Sequence, residues 1–274
     1  MRITLARLTG TSLSLLLASL PPGPADAAEP PAVPTAEPLV LAFNELPPWK
    51  MQENGQFVGA HVEIIRELAR RTARPLRIVP CPLQRCLYML EHGQADIAIG
   101  LQPTPERARF LHYLRTPYRA HSSDKVFYVA RDAGVRIASY ADLAPLRIGV
   151  KLGADYFPRF DHDTALHKET VSDMALNFIK LSAGRIDTLV IAEDQGAAYL
   201  ARLKLDQRIR KADYRVADGA PRSVAIARQA PHVRDVAPFE SAMTEMVRDG
   251  TVTRLIRRYY YDAFHIPYDA VLIN

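Results

Sequence analysis

Several common kinds of functional site are missing from this chain, because the residues that build them are scarce. Only two cysteines occur among 274 residues, and two cysteines alone do not make a zinc site. The apolar run at 13–20 is too short to span a bilayer, and we find no other candidate span. The formal net charge is +5, with bases and acids interleaved, which is too mild to argue for nucleic-acid binding.

Catalytic patterns are equally scarce. We find no nucleophile–base constellation, no phosphate-binding loop and no set of metal ligands. Asp161-His162-Asp163 with His167 could suggest a metal, but it lies in a polar stretch without a second motif, and we interpret it as a solvated turn. The sequence therefore predicts neither a metal nor a cofactor.

The N-terminal residues are predicted to be a targeting segment rather than part of the fold. A basic start precedes the apolar run, and Ala25-Asp26-Ala27 fits a small-x-small cleavage site. We expect a signal peptide at 1–27, a Pro-rich tether at 28–38 and secretion, which in a Gram-negative bacterium means the periplasm. Of all 274 residues, 48% are apolar. The chain that follows the signal peptide and tether can therefore form one large or two medium-sized domains.

The two cysteines, Cys81 and Cys86, lie close together in PCPLQRCL. In an oxidising compartment they can form a disulfide that closes a short loop and contributes only ~2 kcal/mol. The alternative is two reduced thiols that pack as small hydrophobic side chains.

The stretch ADIAIGLQPTPERARF, residues 95–110, carries the clearest indication of a binding site. It reads as a buried strand that ends at Gly100, a polar elbow, and a helix that Thr104 caps and Pro105 begins. Ligands of α/β proteins bind where strands end and helices begin. The helix start carries Arg107 and Arg109, and backbone N–H groups and one fixed guanidinium converge there, which suits a carboxylate.

Strands alternate with helices along the rest of the chain, which predicts an α/β fold with mainly parallel sheets. We predict strands at 39–43, 77–80, 97–99, 124–131, 146–150, 187–192 and 223–227, and helices at 59–72, 83–92, 106–111, 171–183 and 193–203, one starting after Gly153, and two between 231 and 261.

An internal similarity suggests two lobes. Residues 90–99 and 181–190 share the pattern L-x-x-G-x-x-D followed by a buried strand. Each copy reads as a helix, a glycine cap and a strand, so the chain could consist of two similar units facing each other across a cleft. The alternative is chance, because this helix–strand turn is common.

At this point the chain resembles the bacterial extracellular solute-binding proteins of family 3, the polar amino-acid-binding group, over roughly residues 39–262. The positions that carry the resemblance are Pro47-Pro48-Trp49, Gly55, Gly59, the L-x-x-G-x-x-D strand, Thr104-Pro105-Glu106-Arg107-Ala108, Pro117-Tyr118, Ile148-Gly149-Val150-x-x-Gly153, Gly184-Arg185-Ile186-Asp187 and Asp249-Gly250-Thr251.

The resemblance implies a two-lobed type II periplasmic-binding fold with a ligand cleft between the lobes. Lobe 1 would comprise 39–118 and 224–264, lobe 2 would comprise 119–223, and 265–274 would be a C-terminal tail. Such proteins close on a small molecule and usually deliver it to an ABC permease.

The resemblance also implies site residues. Arg107 matches the arginine that clamps a ligand's α-carboxylate, and Gln102 and Thr104 flank it. Trp49 matches an aromatic wall against the ligand's side chain. Gln102 and Thr104 could donate to the same carboxylate or cap the helix, and the two uses are compatible. The alternative for Trp49 is a core residue.

Lobe 2 departs from the family pattern. Gly153-Ala154-Asp155 stands where the family has Gly-Thr-Thr or Gly-Ser-Thr, and Ala192 stands where it has an ammonium-binding aspartate. Our hypothesis is that Asp155 or Glu193 takes over the ammonium contact. The alternative is that both acids only stabilise helix N-termini.

The function predicted is therefore that of a non-enzymatic, monomeric binding protein for a small amino-acid-like or carboxylate ligand, acting with an ABC permease. Two alternatives stay open. One is a dehydratase-like enzyme on the same scaffold, with Glu193 or Asp155 as general acid. The other is a ligand sensor that acts on a membrane receptor.

Overall fold

The computed structural model describes residues 37–264, with side chains to residue 259. The predicted signal peptide, most of the tether and the C-terminal tail lie outside these residues. The strands are β1 Leu39–Phe43, β2 Met51–Glu53, β3 Gln56–Val58, β4 Leu76–Pro80, β5 Ile97–Ala98, β6 Leu111–Tyr113, β7 Lys125–Ala130, β8 Arg147–Lys151, β9 His167–Val171, β10 Thr188–Ala192, β11 Ile209–Val216 and β12 Ala225–Ala227. The helices are α1 Ala60–Arg71, α2 Leu83–Glu91, α3 Pro105–Ala108, α4 Pro158–His162, α5 Met174–Ser182, α6 Glu193–Leu203, α7 Ala237–Arg248 and α8 Thr251–Phe264, with a 3-10 turn at Tyr140–Leu143.

Two five-stranded sheets divide the molecule into two lobes. The sheet of lobe 1 has the order β4-β1-β5-β12-β6, and the sheet of lobe 2 has the order β11-β7-β10-β8-β9. Read from β4 and from β9, each sheet begins with three parallel strands, and its fourth strand is antiparallel to both of its neighbours. The lobes therefore share one topology, and β2 and β3 form a separate hairpin.

The internal sequence similarity corresponds to one structural unit used twice. Gly93 and Gly184 follow α2 and α5 with φ of 63° and 68°, which a residue with a side chain rarely adopts. The aspartates that follow, Asp96 and Asp187, make equivalent hydrogen bonds. Asp96 accepts a hydrogen bond from Val40 N at 2.7 Å, and Asp187 accepts one from Arg147 N at 2.8 Å. Each carboxylate thus ties the turn to the start of the neighbouring strand.

Alternating side chains of the central strands build a core on both faces of each sheet. In β1, Leu39 and Leu41 pack under α1, α7 and α8, whereas Val40 and Ala42 pack on the opposite face with α2. Because both faces are covered, the strand LVLAF is apolar throughout. In lobe 2, Phe127 and Val129 likewise face one cluster and Val126 and Tyr128 the other.

The chain passes twice between the lobes, once between β6 and β7 and once between β11 and β12. The two passages are paired at Arg119 and Arg222, where Arg222 N donates to Arg119 O at 2.8 Å. The predicted lobe boundaries at 118/119 and 223/224 fall in these passages. The exact residues at which one lobe ends and the other begins stay predictions.

The structure corrects several predicted elements. The helix predicted after Gly153 begins only at Pro158, and the helix predicted from residue 171 begins at Met174. The strands β6, β9 and β11 were not predicted, because their apolar residues are too few or too mixed with charge to show the pattern. In the described part of the chain, no helix combines the length and apolarity that crossing a membrane requires.

Candidate functional site

A cavity of about 100 Å3 lies between the lobes, at the carboxyl ends of their parallel strands. Lobe 1 contributes Asn44 after β1 and the segment 100–102 after β5. Lobe 2 contributes Lys151 at the end of β8 and Ala192 at the end of β10. Backbone groups and polar side chains from four strand ends thus meet in one place, which is the usual position of a ligand site in an α/β fold.

Arg107 reaches this cavity from helix α3. Thr104 caps the helix by accepting a hydrogen bond from Arg107 N at 3.3 Å, and Pro105 occupies the first turn, as predicted. The guanidinium is buried and donates to Gln102 O at 2.9 Å and to Gly153 O of lobe 2 at 2.8 Å. It therefore bridges the two lobes.

Asp155 of lobe 2 forms an ion pair with the same guanidinium. The Arg107 side chain is 7% exposed, and that of Asp155 is 32% exposed. Burial raises the pKa of Asp155 above its ordinary value, although the positive charge of Arg107 opposes the shift. Both residues also line a more open depression of about 620 Å3, so their contact forms the wall between the cavity and this outer depression.

Two further cations line the cavity and share one carboxylate. Lys125 Nζ donates to Asp218 Oδ2 at 2.7 Å, and Arg222 Nη2 donates to the same oxygen at 2.5 Å. Arg222 also donates to Gln102 Oε1 at 3.4 Å. Burial alone would raise the pKa of Asp218, but Lys125 and Arg222 outweigh it and hold that pKa below its usual value.

Lys151 is a fourth cation in the lining. Its Nζ donates to Glu45 O of lobe 1 at 3.2 Å, and among residues 37–259 no carboxylate lies within ion-pairing distance of it. Burial lowers its pKa, although the carboxylates of Asp173 and Glu45 oppose the shift from a greater distance. Lys50 lies behind the cavity, where its Nζ donates to Asn44 Oδ1 at 2.9 Å and Ile99 O at 2.8 Å. Burial, with a smaller effect of Lys151, lowers the pKa of Lys50 to about 7.

Trp49 is a core residue in this structure rather than a wall of the cavity. It is 2% exposed, belongs to the lobe 1 core and stacks on His61 at a centroid distance of 4.9 Å. Its Nε1 donates to Asp194 Oδ2 of lobe 2 at 3.0 Å, and Arg119 Nη1 donates to the same oxygen at 3.1 Å. Burial alone would raise the pKa of Asp194, but the charge of Arg119 and hydrogen bonds with Ser123, Gln195 N and Trp49 hold it below its usual value. Trp49 thus contacts the opposite lobe and does not line the cavity, and its contact with a ligand stays a prediction.

Glu193 also lies outside the cavity lining. Its carboxylate pairs with Lys211 and, at 3.2 Å, with Arg215, both on strand β11. Ala192, which precedes it, does line the cavity. The expectation that Glu193 contacts the ligand is thus not supported by its placement, because helix α6 points this side chain toward the outer strand of the sheet.

The other predicted site residues lie around Arg107. Gly100 and Gln102 line the cavity, and Gly153 and Thr104 line the outer depression. At Gly100, φ is +86° and an added Cβ would lie 2.9 Å from Leu46 Cδ2, so the position requires glycine.

The Cys81–Cys86 disulfide is formed, with a Cα–Cα distance of 5.4 Å. It links the residue after β4 to helix α2 and is not in the cavity lining. Within residues 37–259, no group of three or more His, Cys, Asp or Glu side chains could hold a metal ion. The stretch interpreted as a solvated turn, 161–163, instead includes the end of helix α4, and Asp163 there accepts from the Tyr140 hydroxyl at 2.8 Å.

The sequence interpretation missed most of the charge in the cavity. Lys125, Lys151 and Arg222 were not predicted to line it. One available indication was position, because Lys151 directly follows a buried strand and Arg222 lies in a predicted passage between the lobes. A charged residue at such a point is exposed to the cleft even when its neighbours are core residues.

Two α/β lobes of one topology, joined by two passages and enclosing a polar cavity, define a two-lobed binding protein of the type II periplasmic-binding fold. The model of the bacterial extracellular solute-binding proteins, family 3, matches residues 39–262, and the chain belongs to this family. The family resemblance found in the sequence is thereby confirmed.

Relatives with known ligands are similar in fold but distant in sequence. The arginine-binding extracellular protein ArtP of Bacillus subtilis (strain 168) is 22% identical over 221 residues, which cover 78% of this chain and 82% of ArtP. An ancestral arginine-binding protein bound to arginine superposes with a TM-score of 0.71 and 20% identity, over 82% of this chain and 99% of that one. The arginine-, lysine-, histidine-binding protein ArtJ from Geobacillus stearothermophilus superposes with a TM-score of 0.69 and 13% identity, over 84% of this chain and 100% of ArtJ. These proteins and the family are binders rather than enzymes.

Proposed function

We propose that this protein captures a small organic carboxylate in the cavity between its lobes, with Arg107 as the carboxylate clamp. The observation that supports this most directly is the Arg107–Asp155 ion pair. A buried guanidinium at the mouth of the cavity already holds a carboxylate, and that carboxylate comes from the opposite lobe.

A guanidinium in this position is suited to exchange one carboxylate for another. It is always charged, and its planar donors match carboxylate geometry. Gln102 O and Gly153 O fix its orientation through one hydrogen bond each. In this proposal a ligand carboxylate displaces Asp155 from the clamp. Asp155 is therefore a competitor of the ligand, which replaces our earlier hypothesis that it binds an ammonium group.

Binding would be coupled to lobe closure. Contacts between the lobes at Arg107–Gly153, Lys151–Glu45 and Trp49–Asp194 surround the cavity on several sides. A ligand can enter the cavity only if some of these contacts open and then form again. A micromolar Kd requires about 8 kcal/mol, which a few charge-assisted hydrogen bonds in a buried cavity can supply after the cost of closure.

The cellular role we propose is uptake. Family membership supports delivery of the ligand to an ABC permease, and the predicted signal peptide supports a periplasmic location. We propose that the protein acts as a monomer, because one chain contains both walls of the cavity.

A thermal-shift screen tests the proposal. The mature protein is mixed with amino acids, opines, polyamines and small organic acids, and a ligand at 100 times its Kd should stabilise by about 2.7 kcal/mol. Arg107→Ala should abolish the shift, whereas Arg109→Ala, which removes an exposed arginine of the same segment, should leave it unchanged. Binding that survives Arg107→Ala would contradict the proposal.

A further inference from the structure

The cavity carries more positive charge than one carboxylate can neutralise. Arg107, Lys125, Lys151 and Arg222 line it, and two carboxylates, Asp155 and Asp218, pair with three of them. The described lining and its direct partners therefore hold an excess of two positive charges. When a ligand displaces Asp155 from Arg107, the clamp needs a replacement anion as well.

The same cavity offers no carboxylate for a cationic group. Asp155 is the one acid among the described lining residues, and it is held by Arg107. The position at which the family pattern has an ammonium-binding aspartate is Ala192. Asp194, two residues later, turns into the core, where Trp49 and Arg119 occupy its Oδ2 atom.

Lys151 is the best placed partner for a second anionic group. Its Nζ has one hydrogen bond, to a backbone carbonyl, and no carboxylate of the described residues pairs with it directly, although Asp173 and Glu45 attract it from a greater distance. It lies on lobe 2, at the end of β8, whereas Arg107 lies on lobe 1. A ligand with an anionic group at each end would therefore contact both lobes.

Electrostatics strongly favours such a ligand over a cationic one. Charges in a buried cavity interact through a lower effective dielectric constant than charges in water, so attraction and repulsion are both enlarged. The guanidinium of an arginine ligand would lie among lysines and arginines without a free carboxylate to pair with. Lys50 interacts electrostatically with Lys151 and, because its pKa is about 7, adds only part of a positive charge at neutral pH.

We propose that the ligand is a small organic dianion, with one carboxylate on Arg107 and a second anionic group on Lys151, and that an ammonium group is not required. This inference rests on the proposed function and narrows its ligand class.

Calorimetry with matched pairs of ligands tests the inference. The probes are the aliphatic dicarboxylates from malonate to adipate, the monocarboxylates of equal carbon number, L-glutamine and L-arginine, all at neutral pH and low salt. At least one dicarboxylate should bind 10-fold or more tightly than its matched monocarboxylate, on the order of one charge-assisted hydrogen bond. L-Arginine should bind more weakly than that dicarboxylate.

A variant of Lys151 tests whether this residue binds the second anionic group of the ligand. Lys151→Gln should weaken binding of the dicarboxylate on the order of 10- to 100-fold and change the Kd of the matched monocarboxylate by about threefold or less. Lys211→Gln removes an equal charge from lobe 2 outside the cavity and should change neither. Circular dichroism and the melting temperature verify that the variants are folded.

The results separate the inference from the proposed function. If no dicarboxylate binds, or if L-arginine or L-glutamine binds more tightly than every dicarboxylate, the dianion inference is overturned. It is also overturned if Lys151→Gln weakens both members of a pair equally. The proposed function is contradicted separately, if no carboxylate of any class binds or if binding is independent of Arg107.

Discussion

Replacing Asp155 with asparagine should make the protein bind its carboxylate ligand more tightly. The Asp155 carboxylate occupies the Arg107 guanidinium in the structure, so a ligand must first separate this ion pair. Asparagine retains the shape of the side chain and removes its charge. Arg107 then meets the ligand without an internal competitor.

The size of the effect follows from the exposure of the pair. Fully exposed ion pairs contribute up to about 1 kcal/mol, whereas hydrogen bonds to charged groups in less exposed places contribute about 1.5 to 3 kcal/mol. Asp155 is 32% exposed and Arg107 is 7% exposed, which places the pair between these cases. We expect a gain of roughly 1 to 2 kcal/mol, or about 5- to 30-fold in Kd.

The same reasoning gives a pH dependence. Displacement from Arg107 removes the positive neighbour that opposes protonation of Asp155, whose pKa burial has already raised. The bound state therefore takes up protons more readily than the free state. Affinity of the wild type should increase as the pH falls from neutrality toward this raised pKa, until the ligand itself is protonated. The asparagine variant should lack this increase.

Isothermal titration calorimetry between pH 5 and pH 8 measures both effects, with the tightest carboxylate of the screen as ligand. Asp213→Asn, which removes an exposed acid of lobe 2, is the control and should bind like the wild type. If Asp155→Asn weakens binding 10-fold or more, Asp155 contacts a positive group of the ligand, and the competitor argument is refuted.

Three predictions concern stability and are measured by urea unfolding. Asp194→Asn leaves the buried Arg119 guanidinium without its carboxylate and should cost about 3 to 5 kcal/mol; a loss below about 1 kcal/mol would show that the pair is dispensable. Lys50 has a lowered pKa of about 7 in the folded state, so the unfolded chain binds more protons above that pH. The free energy of unfolding should therefore rise by about 2 kcal/mol from pH 7 to pH 9, and Lys50→Met should remove the rise. The double variant Cys81→Ala, Cys86→Ala opens a loop of sequence separation 5 and should lose only about 2 kcal/mol; unfolding at room temperature would contradict this.

Elements with a strong local pattern could be predicted from the sequence. The strand at 39–43 is apolar throughout because both faces of its sheet are covered, and the helix beginning at Pro105 has both its cap and its proline. The repeated L-x-x-G-x-x-D pattern predicted a recurring unit, and both lobes contain it. In each lobe a glycine with positive φ ends the helix, and an aspartate then binds a backbone N–H of the neighbouring strand.

The contents of the cavity could not be predicted in the same way. The capped helix start that carries Arg107 is a local pattern, but its partner Asp155 lies 48 residues away, in the other lobe. Trp49 was expected at the ligand, and the structure places it against Asp194, 145 residues further along the chain. Which lysines face the cleft depends on the relative placement of two sheets, and no short-range pattern encodes that placement.

Arg222 belongs both to the backbone pairing that joins the lobes and to the lining of the cavity. Under the proposed closure, an anion that alters the pairing of its guanidinium with Asp218 would also act on a passage that joins the two lobes. Occupancy of the cavity and the angle between the lobes would then be linked, so a membrane partner touching only the outer surface near residues 119 and 222 would discriminate a loaded molecule from an empty one without reaching the cargo.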